Sequence, residues 1–142
     1  RYFGADPSDE AVALARKNLK GRSVTIAKVD GERLPFSDEF DIVYLGESLY
    51  ASSDKATFLR NCYRSLRRGG TLMILEGLVP ENGVEGNDNN DMVILGMQLD
   101  FALQGHRFMQ KQELMGLVRE AGFKKTVLMP LGGSVYLASA RK

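Results

Sequence analysis

Two short stretches of this chain, Phe40 to Leu45 (FDIVYL) and Thr71 to Leu78 (TLMILEGL), are almost wholly apolar. A strand of that composition is buried on both faces, as in a parallel sheet covered by helices. Between the two runs, Phe58, Leu59, Cys62 and Leu66 recur on one face of a helix expected over Lys55 to Leu66 and stopped by Gly69 and Gly70. The upstream part shows the same alternation. Tyr2 to Ala5 reads as a short strand, and ADPSDE holds the turn residues and acids that start a helix. That helix is expected over Ser8 to Leu19, with Ala11, Leu14, Ala15 and Leu19 at helical spacing and Arg16, Lys17 and Lys20 before Gly21. Val24 to Val29 alternates as a strand ending at Asp30, and GERLPFSDE follows as a loop.

Downstream, PENGVEGNDNN (Pro80 to Asn90) has turn chemistry and no periodicity, which marks a mobile connection able to form part of a lid. An apolar helix is expected over Asp91 to Leu103, then a turn at Gly105 and a helix over Gln110 to Glu120 closed by Gly122. The C-terminal FKKTVLMPLGGSVYLASARK reads as two strands around a glycine pair, an antiparallel hairpin. The order predicts an α/β fold: a Rossmann-like, mostly parallel sheet with helices on both faces and a C-terminal antiparallel hairpin.

At 142 residues, 44% hydrophobic and 26% charged, the chain is expected to form one domain over 1–142. Its formal charge of +1 supplies no global field toward nucleic acid or an anionic membrane, so the expected ligand is small. A single cysteine, Cys62, excludes an intrachain disulfide and a cysteine-based zinc site and suits a reducing compartment. No apolar run approaches the ~20 residues that span a bilayer, and RYFGADPSDE lacks signal-peptide features. The expected location is cytoplasmic. An opening at Arg1 instead of Met suggests a shortened chain.

Asp6 and Asp30 each stand where an expected strand runs out. Ligands of doubly wound sheets bind beyond the carboxyl ends of strands, so two acids at successive ends can reach one nucleoside-shaped ligand. Taken singly, Asp6 reads as a helix-start acid and Asp30-Gly31 as a turn. No glycine-rich turn precedes Asp6.

The order of elements, with ADPS, DGERLPFSDEFDIVYL, FLRNCYRSLRRGGTLMILE and REAGF, resembles the class I S-adenosylmethionine-dependent methyltransferases. The resemblance covers the chain from the family's second strand onward, and VDGERLPFSDEFDIV is its most specific block. It implies S-adenosyl-L-methionine as cofactor. By the same resemblance Asp6, with Pro7 beside it, accepts hydrogen bonds from the ribose hydroxyls, and Asp30 accepts from the adenine amino group. The backbone at Gly31 would contact the ring edge, Leu34 and Phe36 would wall the base, and Leu45, Gly46 and Glu47 would lie along the methionine part. A carboxylate has two oxygens that can accept from a vicinal diol, and charge-assisted bonds are the stronger ones.

The later half is similar to small-molecule O-methyltransferases through LEGLVPENG, MQLDFALQGHRF and QELMGLVREAGF. In those enzymes a histidine takes the acceptor hydroxyl's proton and acids orient it. Aligning through FLRNCY puts Ser48 at that histidine's position and Glu76 at one of the acids. A serine hydroxyl is too weak a base for the task at neutral pH. The remaining candidates are His106, the chain's one histidine, and Glu47; methyl transfer can also proceed by in-line positioning alone.

The expected reaction is methyl transfer to a small organic acceptor seated beneath the Asp91 to Leu103 helix, at a hydroxyl oxygen ahead of nitrogen or carbon. Met92, Met97 and Phe101 suit an apolar acceptor pocket, core packing or a homodimer surface equally. Arg60, Arg64, Arg67 and Arg68 follow helical spacing as a solvated face, and Asp88, Asp91 and Asp100 lack the spacing of a metal site, so no metal is expected. The family's first strand belongs between the Tyr2 to Ala5 and Phe40 to Leu45 strands. Without it both have unpaired edges and this chain alone is expected to lack a complete cofactor site. The rival readings are a catalytically incomplete module used for dimerisation or partner binding, and a nicotinamide-dependent oxidoreductase. The latter is disfavoured because Tyr50 has no lysine four residues on.

Overall fold

The structure, a computed structural model, describes residues 1–79 and 89–142; the connection and lid expected from Pro80 onward lie outside the described residues up to residue 88. In chain order the elements are β1 (Tyr2–Asp6), α1 (Asp9–Asn18), β2 (Val24–Lys28), a 3-10 turn (Gly31–Arg33), β3 (Phe40–Gly46), α2 (Lys55–Ser65), β4 (Leu66–Val79), α3 (Asn89–Leu103), β5 (Met109–Gln110), α4 (Lys111–Glu120), β6 (Lys124–Gly132) and β7 (Val135–Arg141). Short polar side chains set the helix starts. Ser8 accepts from the Ala11 N–H at α1, and Asp54 accepts from the Thr57 N–H at α2. At α4, Glu113 reaches back to the Gln110 N–H.

One boundary differs from expectation. α2 ends at Ser65, four residues before Gly69, and Leu66 already belongs to β4. Tertiary pairing competes for this backbone. The Asp38 and Glu39 amides donate to the Arg64 and Ser65 carbonyls, while Lys142 clasps the strand start through Gly69 N–H to Lys142 O (3.2 Å) and Lys142 N–H to Gly70 O (3.0 Å). Arg67 and Arg68 therefore lie in β4, not on a helical face, and Arg67 pairs with Asp41 at 3.0 Å.

β1 and β2 pair in parallel, as do β3 and β4; β7 joins β4 antiparallel and β6 joins β7 antiparallel. The described strands thus form two sheets, β1-β2 and β3-β4-β7-β6, with β5 beside β4. Among the described residues β1 pairs with β2 alone and β3 with β4 alone. An aromatic clamp links the two sheets: Phe36 meets Phe3 edge-on at 4.8 Å and Phe40 at 5.1 Å. Arg64 of α2 holds the clamp's loop by donating to the Leu34 and Phe36 carbonyls.

The core lies on one face of β4. Leu72, Ile74 and Leu78 pack there with Leu59 and Cys62 of α2 and Leu114 and Val118 of α4. Strand alternation sends Ile42, Tyr44, Val127 and Met129 to the other face, where they are 48% to 59% exposed. α3 is apolar nearly all round and packs through Ile94 and Phe101 against Val79 and Phe108.

Gly31 is where α2 comes closest to the β2 end, because a Cβ there would sit 2.2 Å from the Phe58 ring. Gly31→Ala should destabilise by about 1–3 kcal/mol, the usual cost of overpacking. Thermal unfolding should show a fall of several degrees, partly recovered when Phe58→Leu is added.

Candidate functional site

The carboxyl ends of four strands carry the candidate residues: Asp6 on β1, Asp30 just past β2, Leu45 to Glu47 on β3, and Glu76 near the end of β4. Parallel pairing sets Asp6 opposite Lys28, two residues before Asp30, and the Val29 N–H donates to the Asp6 carbonyl at 3.1 Å. Each acid uses one oxygen locally. Asp6 Oδ1 accepts from the Ser8 N–H at 2.8 Å, and Asp30 Oδ1 accepts from the Glu32 N–H at 2.9 Å, capping the 3-10 turn. Among the described residues the second oxygen of each makes no hydrogen bond. Pro7 follows Asp6 in the turn to α1.

The segment after β2 is anchored by a residue that the sequence reading did not single out. Glu32 Oε1 accepts from Ser52 Oγ (2.8 Å), Ser53 Oγ (2.9 Å) and the Asp54 N–H (2.9 Å). The Asp54 amide and the two hydroxyls hold its carboxyl below the usual carboxylate range. Glu32 thereby ties the loop beyond Asp30 to the loop beyond β3. The local signal was the Ser-Ser-Asp helix start, whose donors need an acceptor. Asn61 adds a bond to the Gly31 carbonyl at 3.2 Å. Leu34 packs on the main core and Phe36 is engaged in the aromatic clamp.

Leu45 is buried, Gly46 ends β3, and Glu47 adopts a left-handed conformation at φ 47°. Its N–H donates to the Leu75 carbonyl at 2.8 Å, so the chain turns over β4 immediately after the strand. There it meets Glu76, which is fully buried; Oε1 accepts from the Leu49 N–H at 2.7 Å and Oε2 has no partner among the described residues. Burial pushes the Glu76 carboxyl up from the ordinary 4.5 to about 7, against the backbone amides of Leu49, Tyr50 and Ser48, which favour the charged form.

Two cavities flank this loop. One of about 250 Å³ beneath α3 is lined by Glu47, Val93, Ile94, Met97, Phe108 and the hairpin turn at Gly132 to Ser134. The other, about 380 Å³ and more polar, is lined by Tyr50, Ser52, Lys55, His106 and Arg107. Glu47 and His106 therefore face different cavities. His106 is half-buried, with its ring 6.0 Å from that of Tyr50, which stacks on Phe101 at 4.4 Å. Arg107 is engaged by Glu113 through two bonds of 2.8 Å. Burial pushes the Cys62 thiol up to about 12, so it is no nucleophile at neutral pH.

A family model described as the methyltransferase domain matches residues 1–74. The ubiquinone/menaquinone biosynthesis C-methyltransferase UbiE of Marinomonas sp. is 25% identical over 149 residues, which cover 92% of this chain and 59% of that protein. The demethylmenaquinone methyltransferase of Chlorobaculum parvum is 29% identical over 145 residues, again 92% and 59%. Among solved structures, PigF with SAH has a TM-score of 0.77 at 24% identity, over 99% of this chain and 43% of that chain; it shares the fold. The chain spans about 59% of the length of these curated relatives.

The raised Glu76 pKa has a consequence for stability. Above pH 4.5 the unfolded carboxyl ionises while the folded one stays protonated to about 7, so stability is lost as pH rises through that window. The loss is on the order of 3 kcal/mol for one fully buried group. Urea unfolding of the wild type should show a midpoint that falls from pH 5 to pH 8, with that component absent in Glu76→Gln.

Proposed function

We propose, from the premise that this chain belongs to the class I S-adenosylmethionine-dependent methyltransferases, that it contributes to a methyl-transfer site for a small, apolar, hydroxylated acceptor. The observation that supports this reading is that Asp6 and Asp30 stand at the ends of the paired strands β1 and β2, while Glu47, at the end of β3, lines the apolar cavity under α3. S-adenosylmethionine, when bound, supplies an electrophilic methyl group. The free oxygens of Asp6 and Asp30 suit the ribose hydroxyls and the adenine amino group, and the Leu45 to Glu47 backbone would hold the methionine end. Cavity walls from Val93, Ile94, Met97 and Phe108 would exclude water from an acceptor ring and hold it in line. Glu47 in the same wall would take the acceptor's hydroxyl proton. His106, on the other side of the loop, would not reach that ring.

We place the methyl group on the hydroxyl oxygen. The first relative is named as a C-methyltransferase, which favours an adjacent ring carbon as the second reading, and the same deprotonation activates either atom. Carbon NMR of the methylated product separates them. A partner-binding module is a further reading, favoured by the exposed Ile42, Tyr44, Val127 and Met129 and by Ser48 standing where related enzymes carry a histidine.

Asp6→Ala should weaken S-adenosylhomocysteine binding in isothermal titration by about 10- to 100-fold, the range for a charge-assisted hydrogen bond; unchanged affinity would sink the ribose assignment. For turnover, Glu47→Gln should lower kcat by about 10²- to 10⁴-fold, the usual contribution of a general base, with little change in the cofactor's KM. His106→Ala should change kcat far less. Equal losses from the two variants would remove Glu47 from its assigned role.

A further inference from the structure

The loop after β3 is folded around a single carboxyl. Glu76 lies on the core face of β4 between Ile74 and Leu78, a position whose neighbours call for an apolar side chain. Its Oε1 accepts from the Leu49 N–H at 2.7 Å, and the amides of Ser48 and Tyr50 also bear on it. The left-handed turn at Glu47 carries the chain across β4, so that the Leu49 amide meets the Glu76 carboxyl.

Two walls adjoin that bond. Glu47, on one side of the Leu49–Glu76 bond, lines the apolar cavity, and Tyr50, on the other side, lines the polar cavity and stacks on Phe101. A buried carboxyl with one oxygen unpartnered is costly, and a residue of similar shape without charge would avoid that cost. The cost makes sense if the loop's conformation matters more than the core's stability.

We propose that Glu76 is a positioning residue, whose carboxyl holds the 47–50 loop and so sets Glu47 and Tyr50 in the walls of the two cavities. Its consequence for turnover rests on the methyltransferase reading above; its grip on the loop does not. The groups that face Glu76 are few. The Glu47 carboxylate disfavours its ionisation, and the Tyr136 ring occupies the paired position on β7 with Lys111 of α4 seated 4.5 Å above it.

The experiment is amide hydrogen exchange on this chain, read at residues 48–50 and corrected for intrinsic pH dependence. Glu76→Ala should speed exchange of the Leu49 amide by about 10- to 100-fold, the range for a lost hydrogen bond to a charged group. Glu76→Gln keeps an acceptor at Oε1 and should restore most of the protection. In the wild type, protection at Leu49 should fall as pH drops through about 7, because the protonated carboxyl is the weaker acceptor, and Glu76→Gln should show no such step. Unchanged exchange in Glu76→Ala overturns the proposal. If Glu76→Ala fails to fold, Glu76→Leu, which fills the same space without an acceptor, decides it by the same reading at Leu49. Loop results that hold while a form of the protein that binds S-adenosylmethionine shows no methyl transfer would sink the proposed function and leave Glu76 in its role.

Discussion

Parallel pairing of β3 with β4 is the interaction on which the candidate site depends. It aligns Gly46 with Leu75, so the next amide, that of Glu47, meets the Leu75 carbonyl and the chain turns across β4 instead of leaving it. That turn delivers Leu49 to Glu76 and leaves Glu47 and Tyr50 facing different cavities. A one-residue slip in the pairing would reverse the faces of Val43 and Leu45, which are packed against the main core. The core and the site are therefore held in register by the same hydrogen bonds.

The smaller sheet is attached by different means. No backbone ladder joins β1 to β3 among the described residues, so side chains carry the connection: the Phe3, Phe36 and Phe40 rings, the Arg64 bonds to the clamp loop, and the Glu32 latch onto residues 52–54. Rings give area without direction, whereas Glu32 fixes the two loops by three aimed bonds. The Asp30 end of the candidate adenosine site is thus oriented through the loop that also forms the polar cavity.

Much of this architecture was legible in the residues. FDIVYL and TLMILEGL form neighbouring parallel strands, the glycine pair closes the hairpin, and α1 starts at Ser8 and α4 at Gln110 as their sequences suggest; the expected burial of both faces fails for FDIVYL, whose Ile42 and Tyr44 are exposed because the described helices packed on the core, α2 and α4, lie on the opposite face. The end of α2 was not legible, since helical periodicity continues through Leu66 while the carbonyls there are claimed by Asp38, Glu39 and Lys142, partners distant in sequence. β5 has only two residues and no periodic signal of its own; β4 creates it by offering a free edge. Glu32 reads as an ordinary loop acid until Ser52, Ser53 and Asp54 are brought to it.

By itself the sequence determined the alternation of strands and helices, the strand-end placement of Asp6 and Asp30, and the family to which that order and spacing belong. These are local properties, set by periodicity and turn chemistry over a few residues. Only the tertiary structure decided that Glu47 and His106 stand on opposite sides of one loop and that the Leu49 amide of that loop meets the Glu76 carboxyl. Each of those depends on which strand lies beside which, and backbone pairing between residues dozens of positions apart leaves no mark in the spacing of either partner.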